Sequence, residues 1–364
     1  MKERILTINP GSTSDKIALF EGEKQIFSQT VSYEAKELQQ FHTISAQLPY
    51  RLKNIDRELA QKGIQLEPLD ACVGRGGSLY SMEGGTYIVD ELLLQHATVG
   101  INGVYHPAQL GTQIAHVFGE RFHCPVYTVN PPEVDEFAPV ARVTGIKGIR
   151  RESHLHALNL KETAIRHANI LGKRYENCNF IVCHLGGGIS VSAHEKGRMI
   201  DGNDIVKGMG PIAPTRCGTV PLGYFIEYCA KAHKSKDSLL ELCTKNGGIT
   251  DLLGTSDMKS VYKRKISGDA QASLYWDAMV YTVCKEIGAM AAVLKGEVDG
   301  ILLGGGLIHN PTLVEEIRER CGFLGTVTAY PGEFEMEAMA AGALRVLRGE
   351  EKAKKYTGIP VTME

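Results

Sequence analysis

Phe180-Ile181-Val182-Cys183-His184-Leu185-Gly186-Gly187-Gly188-Ile189-Ser190 is an apolar, β-branched run that ends in three glycines and restarts as Val191-Ser192-Ala193. The same order occurs near the N-terminus, where Ile5-Leu6-Thr7-Ile8-Asn9-Pro10-Gly11-Ser12-Thr13-Ser14 runs on into Lys16-Ile17-Ala18-Leu19-Phe20. A third glycine turn closes Gly300-Ile301-Leu302-Leu303-Gly304-Gly305-Gly306. A strand that ends in glycines lets bare N–H groups face an anion, because no Cβ holds it off. Three such ends in one chain point to a polyphosphate held between two related halves.

Around these stretches the pattern is that of an α/β protein. Strands are predicted at Arg4–Asn9, Lys16–Phe20, Gln25–Val31 and Ala71–Val73, a helix over Leu48–Gln61, a helix over Ala108–Gly119 and a strand at Pro125–Val129. After Gly148 the order begins again, with a helix over His156–Leu171, strands at Phe180–Cys183 and Val191–Ala193, a turn at Glu195–Arg198 and a strand from Met199. Helices are predicted over Phe225–Thr244, Gln271–Leu294, Pro311–Arg320 and Glu335–Leu347, with a strand at Val327–Tyr330. The repeat is one of pattern, not identity, and it indicates duplicated halves. The expected division is residues 1–149, residues 150–345, and a segment 346–364 that packs back onto the first domain.

Composition narrows the class. The chain has 364 residues, 43% of them hydrophobic and 23% charged, with a formal net charge of -2. That balance suits a globular protein and not a nucleic-acid or acidic-membrane surface. There is no apolar run of about 18 residues, and Met1-Lys2-Glu3-Arg4 leads directly into a strand rather than a secretory leader. Nine dispersed cysteines without a Cys-x-x-Cys read as reduced thiols, so a cytoplasmic protein is expected.

Several residues are placed for chemistry. Asn9-Pro10-Gly11-Ser12-Thr13-Ser14-Asp15-Lys16 is either a polar hairpin turn or a phosphate loop that uses the Ser12 and Ser14 hydroxyls. It is not a Walker A loop, and no Gly-x-Gly-x-x-Gly opens a helix after a strand. Arg75, in Gly74-Arg75-Gly76-Gly77-Ser78, and Arg216, in Pro214-Thr215-Arg216-Cys217-Gly218, stand among small residues. Their five-donor forks suit a carboxylate or a phosphoryl group, or else a structural ion pair. His154-Leu155-His156 has the spacing of a partial zinc site but no completing ligand, and a histidine beside phosphate loops reads better as a donor to a phosphoryl group. Glu333, in Pro331-Gly332-Glu333, opens a helix after a strand, where it either holds Mg²⁺ or complements the helix dipole.

In order along nearly the whole chain, Asn9–Ser14, Val73–Gly77, His184–Gly188, Pro214–Gly218, Gly304–Gly306 and Pro331–Glu333 resemble the motifs of the acetokinase family, the acetate, propionate and butyrate kinases. The resemblance implies the duplicated, ribonuclease H-like α/β fold of the sugar-kinase, actin and heat-shock-chaperone superfamily, with an active-site cleft between two domains. It implies reversible transfer of the ATP γ-phosphoryl group to a carboxylate, with ATP/ADP as substrate and Mg²⁺ as cofactor. Arg75 and Arg216 would bracket the carboxylate and the phosphoryl group, with His156 donating to the latter. Asn9, Gly11, Ser12, Ser14 and Lys16 would form the first phosphate turn, and Gly186, Gly187 and Gly188, supported by His184, the second. Gly304, Gly305 and Gly306 would approach the adenosine. Glu333 or Glu335, with Asn9, would face the metal. Gly77, Tyr105 and His106 would line the acyl pocket.

Within the family the chain looks like a butyrate kinase. Acetate kinases set a valine against the acyl methyl group where this chain has Gly77, and the space so freed accommodates methylenes worth about 0.8 kcal/mol each. A C3–C5 fatty acid, butyrate foremost, is therefore expected, with the alternative of a branched-chain (isobutyrate) or a propionate or acetate kinase. Where the family has an aspartate before the domain hinge this chain has Asn130, with Asp135 five residues on as the alternative acid. The family further implies a homo-oligomer working beside a phosphotransacylase. An actin- or chaperone-like ATP-binding module and a hydroxyl kinase are the competing readings. The first would call for a long carboxyl-terminal domain and the second for a general base.

Overall fold

The computed structural model describes residues 2–361. The chain forms two compact units, Met1–Asp135 with Phe334–Glu364, and Glu136–Glu333.

The first unit is built on a six-stranded sheet. Its strands are β1 (Arg4–Pro10), β2 (Ser14–Glu21), β3 (Lys24–Ser32), β4 (Ala71–Gly74), β5 (Thr86–Ile88) and β6 (Val126–Val129), in the order β3-β2-β1-β4-β6-β5. β1, β2 and β3 form an antiparallel meander, and β4 and then β6 add in parallel to β1. Helices Gln109–Phe122 and Glu335–Leu347 both pack on β1, which explains why its residues Ile5–Ile8 are buried without alternation. Leu6, Ile8, Ile17, Leu19, Ile55, Leu59 and Phe118 make one core.

The second unit repeats this arrangement. β7 (Asn179–Leu185), β8 (Ile189–Glu195), β9 (Arg198–Gly202), β10 (Gly300–Gly305) and β11 (Val327–Pro331) lie in the order β11-β10-β7-β8-β9. β7, β8 and β9 are antiparallel, and β10 and then β11 add in parallel. Strand for strand this is β1, β2, β3, β4 and β6 again, with β5 an extra antiparallel edge in the first unit. The duplication read from sequence pattern is a duplication of topology. Its core gathers Ile181, Val191, Trp276, Val283, Ile287 and Leu303.

Two sequence expectations need correction. The helix predicted over Phe225–Thr244 is two helices, Leu222–Ala232 and Lys236–Thr244. His233 turns left-handed at φ 48°, and the Ser235 side chain accepts from the Ser238 amide to cap the second helix. Helices Glu91–Val99 and Met258–Ile266 form where no helix was predicted. Among the described residues no helix is long and apolar enough to cross a membrane.

Candidate active site

In each unit the singled-out residues gather at the carboxyl ends of the parallel strands, where α/β sheets bind ligands. In the first unit these are the ends of β1 (Asn9), β4 (before Arg75) and β6 (before Asn130). In the second they are the ends of β7 (His184), β10 (Gly304) and β11 (before Glu333).

The β1–β2 turn is tight, with the Gly11 amide donating to Ser14 O at 2.6 Å. Ser12 and Thr13 are exposed, and their amides meet no acceptor among the described residues. Lys16 stands on the exposed side of β2 while its neighbour Asp15 points inward. Asn9 Nδ2 donates to Glu335 Oε2 at 2.6 Å. That bond leaves Asn9 Oδ1 and Glu335 Oε1 with no hydrogen bond among the described residues.

Arg75 is only 9% exposed. The one hydrogen bond of its side chain among the described residues runs from Nη1 to Asn130 O at 3.3 Å. Burial lowers its pKa, and the charges of Glu335 and Glu133 raise it in part. A guanidinium stays protonated through such a shift. Asn130 is left-handed at φ 39°, and its Oδ1 accepts from the Gly85 amide at 2.8 Å, so this side chain fastens a neighbouring loop. Asp135 is buried, and its amide bonds Met82 O. Glu133, which the sequence reading passed over, accepts from the amide of Ser78 at 2.6 Å. Ser78 is itself left-handed, at φ 63°, so Glu133 fixes the sharp turn that follows Arg75.

The acyl-pocket candidates divide. A Cβ at Gly77 would stand 3.3 Å from Gln109 N and 3.4 Å from the Ala108 Cβ, against the turn that carries His106. His106 Nδ1 accepts from the Ala108 amide at 3.1 Å. Withdrawal from water and the charge of Arg75 both lower its pKa, so the ring is neutral with its proton on Nε2. Tyr105 is 68% exposed, and its ring lies over Gly100.

In the second unit His156 and His184 stack, ring centroids 4.1 Å apart. The Ser190 hydroxyl accepts from the His156 amide at 3.3 Å and shares a hydrogen bond with His156 Nδ1 at 2.8 Å. His184 is buried, and its Nε2 lies 3.7 Å from Glu333 Oε1. His154 bonds Asp204 Oδ2 at 2.9 Å, so the two histidines of the His-x-His spacing do not converge. Among the described residues no cluster of three or more His, Cys, Asp or Glu could hold a metal.

The β7–β8 glycine turn is latched to the loop of Arg216. The Thr215 amide and hydroxyl both donate to Gly187 O, at 3.1 and 2.8 Å. A Cβ on Gly188 would overlap the Arg216 guanidinium, and one on Gly186 would stand 3.1 Å from His184 Nε2. Behind the loop, Ala213 O accepts from Ile249 N, Pro214 O from Thr250 N and Thr215 O from Gly247 N. The Gly247–Thr250 segment that clamps the loop gave no sequence signal beyond its two glycines. The Arg216 side chain makes no hydrogen bond or ion pair among the described residues, and its Nε is buried without a partner. Burial lowers its pKa.

Gly304 pairs with His184 on one side and Tyr330 on the other. Gly305, at φ 97°, passes so close to Leu185 that a Cβ would overlap its backbone, and it exchanges hydrogen bonds with Gly332 at 2.9 and 3.2 Å. Gly306 is exposed with open space beside it.

A profile of the acetokinase family matches residues 95–335. Three solved structures are similar in fold. The acetate kinase of Porphyromonas gingivalis superposes with a TM-score of 0.75 at 19% identity, over 95% of this chain and 100% of that one. The acetate kinase of Entamoeba histolytica gives 0.74 at 15% identity, over 93% and 98%. A propionate kinase from Francisella tularensis gives 0.69 at 19% identity, over 93% and 98%. At these identities the likeness is one of fold.

Proposed function

The chain belongs to the acetokinase family, and on that footing we propose that it transfers the γ-phosphoryl group of ATP to the carboxylate of a C3–C5 acid, butyrate foremost. One observation carries this reading. Two withdrawn guanidiniums are held with their forks nearly empty: Arg75 has a single long bond, and Arg216 has none among the described residues. A buried cation without a partner is costly. The open donors of Arg75, which is buried, and of Arg216, which is half-buried, are what an anionic acid and a phosphoryl group in transfer would satisfy.

In the step itself a carboxylate oxygen forms a bond to Pγ, and the bond from Pγ to the β,γ-bridging oxygen breaks. The electron pair leaves on ADP. The acid is already ionised near pH 7, so no proton has to move. The protein's work is positioning and charge neutralisation. Arg75, backed by Asn130 O, takes the acid carboxylate, with His106 Nε2–H beside it. Arg216 and the His156 ring take the equatorial oxygens of the phosphoryl group. The Ser12 and Thr13 amides, the Ser12 and Ser14 hydroxyls and Lys16 form one phosphate cradle, and Gly186–Gly188 form the other, with His184 and Glu333 behind it. Gly304–Gly306 admit the adenosine. Asp135 stays a supporting acid of the first unit.

Asn9 Oδ1 and Glu335 Oε1 are hard oxygen donors without hydrogen bonds among the described residues, and they fit Mg²⁺. The ion would lower the negative charge on the β- and γ-phosphate oxygens. A homo-oligomer that shares its acyl phosphate with a phosphotransacylase is part of the same proposal, as is a cytoplasmic location, which nine cysteines that all remain free thiols support.

The test is trapping of acyl phosphate as hydroxamate, with ATP, Mg²⁺ and linear and branched acids from C2 to C6. Product is expected, with its maximum between C3 and C5. No hydroxamate with any acid removes the carboxylate-kinase reading, whereas a maximum at acetate removes only the chain length. In the same assay Gly77→Val should shift preference toward shorter acids, because its side chain presses on Ala108 and Gln109 next to His106. An unchanged C2:C4 ratio would separate Gly77 from selectivity.

A further inference from the structure

Every carbonyl of the β1–β2 turn is turned into the protein. Gly11 O and Ser12 O accept from the Arg51 guanidinium at 3.0 and 3.3 Å. Thr13 O accepts from the Tyr33 amide at 2.9 Å, and Ser14 O from the Gly11 amide at 2.6 Å. The Ser12 and Thr13 amides are left facing solvent without an acceptor among the described residues. A peptide whose oxygen is fixed on one side presents its N–H on the other, so fixing the carbonyls decides which pole of the loop an anion meets.

Arg51 is fully buried, as is its ion-pair partner Asp15. Asp15 Oδ2 accepts from Tyr33 OH at 2.6 Å. The guanidinium lies over the Tyr33 ring, 4.9 Å from its centroid, and its Nε donates to Gln47 Oε1 at 3.0 Å. A buried ion pair is often replaceable by apolar residues at no loss of stability. Its presence under this turn therefore calls for a task other than stability.

We propose that Arg51, held by Asp15 and Tyr33, is the positioning residue that sets the polarity of the phosphate turn, keeping carbonyls inward so that amides face the phosphate. The proposal rests on reading Gly11–Ser14 as a phosphate loop. Arg51 touches no substrate and acts through the Gly11 and Ser12 peptides.

The test compares wild type with Asp15→Asn/Arg51→Met, which removes both charges together and keeps an acceptor for Tyr33 OH, and with Arg51→Lys, which keeps the charge but not the fork. Two readouts are taken: hydroxamate kinetics, and exchange of the Gly11 and Tyr33 amides. The double variant should melt close to wild type, lose at least about tenfold in kcat and show faster exchange at those two amides. Exchange at β1 residues Leu6–Ile8 should not change. Arg51→Lys should fall between. Wild-type kinetics with unchanged exchange in either variant overturns the proposal. Faster loop exchange in the variants of a wild-type protein that forms no hydroxamate would sink the catalytic reading and leave the positioning role standing. If the double variant fails to fold, Arg51→Lys decides by the same two readouts.

Discussion

Gly188 has no room for a side chain because the Arg216 guanidinium occupies the place a Cβ would take. The two residues therefore act as one device, in which the glycine lets the cation lie flat on the turn and the turn aims the cation. Arg216 makes no ion pair among the described residues, so removing it should cost little stability and much rate. Arg216→Ala is expected to lower kcat roughly 10²–10³-fold, the scale of a lost transition-state donor, with an unchanged melting temperature. Gly188→Ala should reproduce part of that loss while the guanidinium is still present, because the new methyl displaces it. Steady-state rates and melting curves on both variants check the pair. A Gly188→Ala enzyme with wild-type kcat would show that the cation works from another position.

At the scale of elements, two segments of the second unit are tied by His154 and Asp204, one before helix Ala157–Ile170 and one after β9 (His154 Nδ1 to Asp204 Oδ2, 2.9 Å). Burial alone would pull the His154 pKa down, but the hydrogen bond and charge of Asp204 outweigh it and hold the pKa above its usual value. On Asp204, burial pushes the pKa up, and His154 together with the amides of Val206 and Lys207 carries it below its usual value. The histidine's contribution is therefore full below its unfolded pKa, about 6.5, and is lost as pH rises through the raised folded value. That of the aspartate is present above its unfolded pKa and is lost as pH falls through the depressed one. Between these limits the pair should add on the order of 1 kcal/mol. The melting-temperature gap between wild type and His154→Asn should be widest in mildly acidic buffer and narrow by about 2 °C as pH rises past neutrality. A gap constant across that range would mean that folding does not raise the His154 pKa.

This tie was invisible in sequence, for the reason that separates the legible from the hidden throughout the molecule. Glycine turns, strand runs and the helix over Leu48–Gln61 follow from neighbours a few residues apart, and their positions agree with the fold to within a residue or two. Arg51 carried one local sign, a charge on the apolar stripe of Leu48, Leu52, Ile55 and Leu59. Its partner Asp15 lies 36 residues away in sequence. Glu133 follows two prolines that read simply as a turn, and only the fold brings it to Ser78. The break at His233 has neither glycine nor proline to announce it. Of the candidate site, the glycine turns and the arginines could therefore be picked out from sequence, and the groups that hold them in place could not.

At the scale of the whole chain, the second unit is one continuous segment, Glu136–Glu333, with its own sheet and core, whereas the first needs Phe334–Glu364 to complete it. Helix Glu335–Leu347 buries Met336, Met339, Ala343 and Leu344 within the first unit. The amino-terminal limit of the second unit is set by chemistry. Both oxygens of Glu136 accept from Lys161 Nζ, at 3.0 and 2.8 Å, and Oε2 also accepts from the Met199 amide at 2.8 Å. Lys161 is almost fully buried, so a fragment that starts at residue 150 strands its charge. Such a loss costs about 3–5 kcal/mol, a large share of a domain's stability. Residues 136–333 expressed alone should therefore melt cooperatively and bind ADP without forming hydroxamate, while residues 150–333 should be unfolded or melt far lower. Glu136→Gln within the longer fragment should fall in between, since the amide still accepts from Lys161 but leaves its charge unbalanced. Circular dichroism melts of the three fragments decide it. Equal stability of the 136–333 and 150–333 pieces would mean that Glu136 is dispensable to the unit.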